Sequence, residues 1–228
     1  MDDLIDYLST NMAEVQFYAQ SHFLIVLYSV AIATAISVGL ALVLHTNQLS
    51  PPSWSRRLRS GSQEAALLTA SALLTIPSLA LFSLLQPPLG LGTTPAIVGL
   101  TLYGIYPVLR NTVAGLSSVD PAVLEAARGI GMGPVRRIVR IQLPLAWPVI
   151  LSGIRVAALI MIAIAAVAAI ISDLGFGEPL QNGLTRLGGA GSFAQVLVGT
   201  FGPLVVAAVY EIAFVVVKRF TTPRGIRV

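Results

Sequence analysis

Apolar residues fall into five long runs along the chain, and short polar segments separate one run from the next. An α-helix needs about 20 predominantly apolar residues to cross the hydrocarbon core of a bilayer, and each run is that long. None of the runs alternates strictly between apolar and polar residues, as a membrane-spanning strand does. The pattern therefore predicts an all-α protein with five transmembrane helices, at about residues 22–44, 65–85, 94–116, 145–172 and 194–217.

The N-terminal segment, residues 1–20, is acidic and only mildly amphipathic. Leu4, Leu8, Met12 and Val15 recur at helical spacing, which is the pattern of a helix lying on a membrane surface. A frayed terminal tail is the alternative that this spacing leaves open.

The composition is that of an integral membrane protein. Hydrophobic residues make up 55% of the chain and charged residues 11%, whereas about a quarter of the residues of a soluble protein are charged. The mean hydropathy of +0.83 indicates more apolar surface than one soluble core can bury. No linker or internal repeat divides the sequence, so residues 1–228 are predicted to form one domain. The absence of cysteine excludes disulfides and thiolate metal sites.

The basic residues are concentrated on one side of the predicted bundle. Twelve of the 14 lysines and arginines lie in the first loop, around the third loop or after the fifth helix. Since positive residues stay in the cytoplasm, the N-terminus is placed outside and the C-terminus inside a bacterial cytoplasmic (inner) membrane. Topology thus accounts for the net charge of +4 without a nucleic-acid partner. The twelve residues are Arg56, Arg57, Arg59, Arg110, Arg128, Arg136, Arg137, Arg140, Lys218, Arg219, Arg224 and Arg227.

The third loop, residues 117–144, is a polar island between two apolar runs. Asp120 followed by Pro121 is a helix start, because Asp caps free N–H groups and Pro suits the first helical position. Residues 122–128 are predicted to form a short helix that ends at three glycines, Gly129, Gly131 and Gly133. A helix of this length is marginal alone, so we expect it to pack against another protein.

Seven positions of this loop follow a known spacing. Glu-Ala-Ala, three residues, Gly, nine residues, Ile, one residue and Leu-Pro resembles the cytoplasmic signature loop of ABC importer permeases. An ordinary basic loop would explain the arginines but not this spacing. The seven positions are Glu125, Ala126, Ala127, Gly131, Ile141, Leu143 and Pro144.

The resemblance covers about residues 20–220. Residues 75–80, 107–112 and 119–121 are similar to the permeases of osmoprotectant importers, which carry glycine betaine, carnitine or choline. The resemblance implies five core helices in the type I ABC importer (MetI-like) fold, with a cytoplasmic coupling helix between the third and fourth spans that sits in a groove of the ATPase. The residues that it assigns to ATPase coupling are Asp120, Glu125, Ala126, Ala127, Arg128, Gly131, Arg136 and Arg137.

The same resemblance implies the partners. Two ATPase subunits would bind in the cytoplasm, a solute-binding protein would dock outside, and a second permease copy, identical or homologous, would lie beside this one among the membrane lipids. ATP and Mg would belong to the ATPase, and this chain would bind no cofactor and would not be an enzyme. Residues 129–133 agree, because a phosphate-binding loop needs a strand before it and Lys-Ser/Thr after it, and both are missing here.

Polar residues inside the second and third runs are candidates for lining a solute path. In the resembled family this part of the bundle lines the path, and Pro77 would free a backbone carbonyl there. A kink satisfied within the bundle is the alternative, and tyrosines also anchor helices at the membrane interface. Asp173, at the outer end of the fourth run, would favour a cation or cap the next helix. The candidates are Thr75, Pro77, Ser78, Tyr103, Tyr106, Asn111 and Asp173.

Arg155 and Glu211 are ionisable residues within the fourth and fifth runs. An unpaired charge at membrane depth costs several kcal/mol, so a structural ion pair between them is predicted in preference to a role as solute ligands. Snorkelling of Arg155 toward the interface is the alternative. His22 and His45 lie at opposite ends of the first run and cannot share a metal ion, so no metal site is predicted.

Other functions fit the residues less well. A self-sufficient secondary transporter or channel would need coupling carboxylates or broken inverted repeats, and Glu211 is the only carboxylate inside a run. A membrane enzyme would need a catalytic constellation, which the sequence lacks. The sequence therefore favours an importer permease for an osmoprotectant, with another amine or an amino-acid-derived solute as the alternative.

Overall fold

The computed structural model describes residues 2–46 and 56–222, and helices make up nearly all of this part of the chain. Arg224 and Arg227, which contribute to the topology prediction, lie outside the described residues. In chain order the helices are α1 (Asp2–Thr10), α2 (Met12–Thr46), α3 (Arg56–Thr75), α4 (Ser78–Leu89), α5 (Thr93–Ser117), α6 (Pro121–Gly129), α7 (Pro134–Arg137), a π-helical turn (Ile138–Gln142), α8 (Leu143–Ser172), α9 (Gly177–Thr185) and α10 (Ser192–Thr221).

Three continuous helical segments of the described chain are long and apolar enough to cross a membrane: Met12–His45, Pro134–Ser172 and Ser192–Thr221. The helices α3 and α4, if they form one broken span, would supply a fourth. The 25-residue helix α5 is not among them. Length and composition thus support up to four of the five predicted spans, and the fifth stays a prediction.

Helix α5 lies at the centre of the bundle. It packs against α2, α8, α3 and α4, and Leu100, Val108 and Leu109 are completely buried. Other helices surround α5, and the buried Thr112 on it finds its partner within the helix, where Thr112 Oγ1 donates to Val108 O at 2.7 Å. A helix in this position tolerates a lower hydropathy than one that faces lipid.

Glycines bring the backbones of α5 and α8 into close contact. A Cβ atom on Gly153 would lie 2.9 Å from the carbonyl oxygen of Pro107 and 2.5 Å from Asn111 Cβ. A Cβ atom on Gly115 would lie 3.1 Å from the carbonyl oxygen of Ala146. Small residues at helix crossings allow this approach, and the resulting van der Waals contact is a main source of helix association in lipid.

The second predicted span is not one kinked helix. It breaks at Ile76 and Pro77 into α3 and α4, which meet at 99°. Proline lacks an N–H donor and disfavours helical geometry in the residue before it. The expectation of a single helix over 65–85 is therefore corrected to two helices with a sharp corner.

The fourth span begins earlier than predicted. Helix α7 and the π-helical turn continue directly into α8, so the helical segment runs from Pro134 to Ser172. Ile138 and Gln142 are buried against the bundle although arginines lie around them. The predicted loop 117–144 is thereby reduced to α6 and two short connections, because one face of its second half packs inward.

The N-terminal segment is helical and folds onto the bundle. Leu4, Leu8 and Val15 pack against the core, whereas Met12 is 49% exposed. Asn11 separates α1 from α2 and its backbone N–H donates to Tyr7 O at 2.9 Å. The spacing thus identified a helical segment, and its place on a membrane surface stays a prediction.

Replacing Gly153 with Ala should destabilise the bundle, because the new methyl group would collide with the backbone of α5. Overpacking of this kind costs roughly 1–3 kcal/mol, which should lower the melting temperature of the detergent-purified protein. Gly39→Ala is the control, since Gly39 lies in the exposed face of α2 with nothing within 4 Å of the added atom. Equal melting temperatures for the two variants would contradict the close α5–α8 crossing.

Candidate functional site

Helix α6 begins as its sequence predicts. Asp120 Oδ1 accepts a hydrogen bond from the Ala122 N–H at 2.8 Å, and Pro121 occupies the first turn. The Asp120 carbonyl also accepts from the Val123 N–H at 3.1 Å. Free N–H groups at the start of α6 are therefore satisfied by residues of its own cap. Three residues, 118–120, separate α5 from α6.

Gly131 ends α6. Its φ of 81° lies in the left-handed region, where a residue with a side chain is strained by roughly 1–2 kcal/mol. This conformation lets the Met132 N–H reach back to Ala127 O at 3.0 Å, which satisfies a free carbonyl at the end of the helix. Gly133, with a φ of −64°, has ordinary backbone geometry.

The surface of α6 and the connection to α7 is open. Ala127 packs inward, and its side chain is only 4% exposed. Glu125, Ala126 and Arg128 are exposed. Apolar side chains are exposed beside them: Val123, Ile130 at 78% and Val135 at 67%. We call residues 120–136 the docking segment, since exposed apolar residues among charged ones are typical of a protein-binding surface.

The two adjacent arginines after α6 are placed differently. Arg136 is exposed, whereas Arg137 is 8% exposed and its Nε finds no hydrogen-bond acceptor among the described residues. Arg136 is available to a partner protein in this conformation, and Arg137 is not. The sequence placed both among the coupling residues.

A hydrogen bond fastens the π-helical turn to the end of α2. His45 Nε2 lies 3.0 Å from Gln142 Oε1, and the Gln142 side chain is 1% exposed. The turn that leads from the docking segment into α8 is therefore fixed to a neighbouring helix. Sequence reasoning missed this pair, because two residues 97 positions apart give no local signal.

The corner between α3 and α4 is braced by Tyr103. Its hydroxyl donates to Ile76 O at 2.7 Å, which satisfies a carbonyl left free beside Pro77. Tyr103 is 3% exposed, so in this structure it supports the corner and does not line an open path. Thr75 and Pro77 are exposed at the corner and Ser78, the first residue of α4, is half-buried.

The other path candidates have local partners. Asn111 Nδ2 donates to Pro107 O at 2.8 Å within α5. Arg110 lies over the Tyr106 ring, 5.9 Å from its centroid, and also donates to the Tyr106 hydroxyl at 3.3 Å. Tyr106 and Asn111 remain half-buried, and each is bonded to another residue of α5.

Asp173 ends α8 in a left-handed conformation with a φ of 49°, and its N–H donates to Ala169 O at 3.0 Å. The side chain is exposed. Nearby, burial raises the pKa of the Glu178 carboxyl, and the charges of Asp173 and Glu14 act in the same direction, while a hydrogen bond from Tyr18 opposes them. The end of the bundle where α8 meets α9 thus carries several acidic groups.

Two adjacent residues of α2, Ser21 and His22, hold the turn between α8 and α9. His22 Nε2 donates to Ile162 O at 3.1 Å, and His22 Nδ1 accepts from the Phe176 N–H at 3.4 Å. Ser21 Oγ accepts from the Gly175 N–H at 3.0 Å. The buried imidazole therefore serves as a neutral linker between α2, α8 and α9, a role that the sequence did not reveal.

Arg155 on α8 and Glu211 on α10 form an ion pair with two hydrogen bonds. Arg155 Nε donates to Glu211 Oε1 at 2.9 Å, and Nη2 donates to Oε2. Arg155 also lines a cleft between the two helices. The cleft is lined by Pro148, Leu151, Ser152, Arg155, Phe214, Val215 and Lys218.

Residues 54–222 match the family described as the binding-protein-dependent transport system inner membrane component. The match covers the docking segment, the ion pair and the helices from α3 to α10. The chain belongs to this family of ABC importer permeases. It is therefore a multi-pass membrane subunit of a transporter that works with an ATPase and a binding protein, and ATP is hydrolysed by the separate ATPase subunit.

Individual relatives agree with this assignment over their full length. The chain is 34% identical to the osmoprotectant import permease protein OsmW of Salmonella typhimurium, covering 99% of this chain and 100% of the relative. It is 30% identical to the glycine betaine/carnitine/choline transport system permease protein OpuCB of Bacillus subtilis, covering 100% and 97%. A chain of the MetNI methionine ABC transporter, solved in inward-facing conformations, shares the fold, with a TM-score of 0.75 at 17% identity over 93% of this chain and 98% of that one.

Replacing Gly131 with Ala should weaken attachment of the ATPase, because the strained φ would unwind the end of α6. The expected loss is roughly tenfold, since strain of 1–2 kcal/mol is released by unwinding the last turn. The measurement is the amount of ATPase retained on the purified permease. Gly133→Ala is the matched control with permitted geometry, and an equal loss in both variants would show that the turn at Gly131 has no special role.

Proposed function

We propose that this chain is the permease through which an ATPase drives import of an osmoprotectant, such as glycine betaine, carnitine or choline, that an extracytoplasmic binding protein delivers. The observation that carries the proposal is the exposed docking segment, which lies in the chain between α5 and α8. The names of the relatives support the solute class. Other amines and amino-acid derivatives are the alternative solutes.

We infer that the docking segment lies in the cytoplasm, with the N-terminus outside and the C-terminus inside. The support is the distribution of basic residues, of which twelve of 14 lie on the side of this segment. An ATPase in the cytoplasm would then meet Glu125, Ala126, Arg128 and the exposed Arg136 on one surface.

The mechanism that we propose is alternating access in a permease dimer with two ATPase subunits. ATP and Mg bind to the ATPase, and closure of its two subunits brings the docking segments of the dimer together. Because α6 joins α5 to α8, and these helices touch through their backbones, a displacement of α6 is passed to the centre of the bundle. ATP shifts the equilibrium only as far as it binds one global state more tightly than the other.

The proposal assigns most of the solute affinity to the binding protein. Few charged side chains lie inside the long helices, and Glu211, the carboxylate that a secondary transporter would need for ion coupling, is bound by Arg155. A carboxylate held in a two-bond ion pair is poorly suited to take up and release a coupling cation, because the cation would replace Arg155 at Glu211 and leave the guanidinium without a carboxylate.

Reversing the charge of Glu125 should detach the ATPase. Glu125→Arg places a cation on an exposed surface that already carries Arg128 and Arg136, so we expect at least roughly a tenfold loss of retained ATPase, equivalent to about 1.4 kcal/mol. The measurement is co-purification from membranes, with thermal unfolding in detergent as the check that the permease is folded.

Glu64→Arg is the matched control, since Glu64 is an exposed glutamate on α3, outside the docking segment. The proposal requires that this variant retain the ATPase. If Glu125→Arg retains as much ATPase as the wild type and transports at the same rate, α6 is not the docking site.

A further inference from the structure

The Arg155–Glu211 pair lies far from both ends of the two helices that carry it. From the helical rise, both residues are at least about 15 Å from either end of α8 and α10. The hydrocarbon core of a bilayer is about 30 Å thick, so the pair lies at the depth of the acyl chains. The two hydrogen bonds to Glu211 hold the guanidinium at this depth and prevent it from reaching the interface.

The pair is nevertheless open to the surroundings of the chain. The side chains of Arg155 and Glu211 are 52% and 29% exposed. The bonds to Glu211 use only part of the guanidinium donor set, and among the described residues no other acceptor bonds to Arg155. A charged pair with open donors is unfavourable against lipid tails, so this face of α8 and α10 must meet water, solute or protein.

The adjoining cleft contains groups that suit a small zwitterion. It has a volume of about 100 Å³, whereas a single water molecule needs roughly 10–15 Å³. The Arg155 guanidinium can bind a carboxylate in a bidentate geometry. Glu211, 29% exposed, is bonded to the Arg155 side chain that lines the cleft. The Phe214 ring, which also lines it, can bind a quaternary ammonium group by cation–π attraction. Ser152 adds an exposed hydroxyl.

We propose that this cleft faces the translocation path and is the solute contact of the permease, taking a small quaternary-ammonium zwitterion such as a betaine. The inference rests on the proposed function for the class of solute. When a zwitterion passes, its carboxylate replaces Glu211 as the partner of Arg155. Its ammonium group replaces Arg155 as the partner of Glu211. Because each charge already has a partner, the solute gains little net binding energy and leaves easily, as transport requires.

Cysteine labelling tests whether the cleft is open to water, and the chain has no cysteine of its own. Ser152→Cys is introduced into the full transporter in proteoliposomes and treated with 2-(trimethylammonium)ethyl methanethiosulfonate, a water-soluble quaternary ammonium reagent. Val209→Cys is the control, because Val209 is 48% exposed and lies two residues from Glu211 on the opposite side of α10.

We expect the reagent to label Ser152→Cys at least tenfold faster than Val209→Cys, and excess glycine betaine to slow that labelling. Equal rates at the two positions, or no labelling at Ser152→Cys with or without ATP, would show that the face is covered by lipid or protein and would overturn the proposal. Labelling that glycine betaine leaves unchanged would overturn the solute contact.

A charge exchange separates a solute contact from a structural clamp. The double variant Arg155→Glu with Glu211→Arg keeps an ion pair between α8 and α10 but reverses its direction. A purely structural pair predicts wild-type assembly and wild-type uptake, which would overturn the proposal. A solute contact predicts normal assembly with uptake of glycine betaine reduced at least tenfold, because the carboxylate of the solute would then be offered to the wrong helix.

The double variant can also fail to fold, so the single variant Phe214→Leu is made beside it. Loss of the ring with retention of an apolar side chain should raise the KM for glycine betaine several-fold without reducing the amount of assembled transporter, and an unchanged KM would count against the proposal. If the wild type transports neither glycine betaine, carnitine nor choline, the proposed solute class fails with it, while the labelling rates still decide whether the cleft lines the path.

Discussion

The backbone contact between α5 and α8 is the interaction on which the rest of this structure depends. Gly153 and Gly115 let the two helices approach closely at these positions, so a movement of one helix displaces the other. The docking segment lies in the chain that connects them, and the π-helical turn that follows it is bonded to α2 by a hydrogen bond between His45 and Gln142. Through α8, the same contact reaches the ion pair and the cleft beside α10. A signal at α6 therefore has a short, densely packed route to the proposed solute contact.

The membrane explains why so many polar groups in the bundle are paired. Where α3 and α4 break, Tyr103 bonds to the free carbonyl of Ile76, and in the turn after α8, His22 accepts from the Phe176 N–H. Unsatisfied groups at such places would be costly in lipid. Thr34 and Thr101 are buried hydroxyls without a partner among the described residues, but they are uncharged. The Arg155–Glu211 pair is charged and open, and a charge costs far more than a hydroxyl in lipid, so the open donors of Arg155 most need a partner.

Local chemistry made the docking segment predictable from the sequence. The cap at Asp120, the proline after it and the turn at Gly131 are properties of single residues and their neighbours, and the structure places each one where the sequence did. The positions of the long apolar runs were predictable for the same reason, since hydropathy needs no knowledge of tertiary structure. The pairing of Arg155 with Glu211 followed from the cost of isolated charges in a membrane.

The rest depends on contacts between distant parts of the chain. Proline predicts a disturbance at Pro77, but the angle of 99° between α3 and α4 depends on what Tyr103 and the neighbouring helices offer. The π-helical turn and the burial of Arg137 arise because Ile138 and Gln142 pack into the bundle. The basic residues around these two positions gave no sequence signal that the segment is buried. Tyr103 is a polar residue in a run that was predicted to line the path. In the structure its hydroxyl instead bonds to the Ile76 carbonyl and supports the corner between α3 and α4.

The central claim is that this permease moves solute only when an ATPase acts on it through the docking segment. The most direct measurement is uptake of labelled glycine betaine into proteoliposomes in which the permease, the ATPase, ATP and the binding protein are left out one at a time. The account predicts accumulation against a gradient with all four present and none when any one is missing. Accumulation driven by an ion gradient with the permease alone would contradict it.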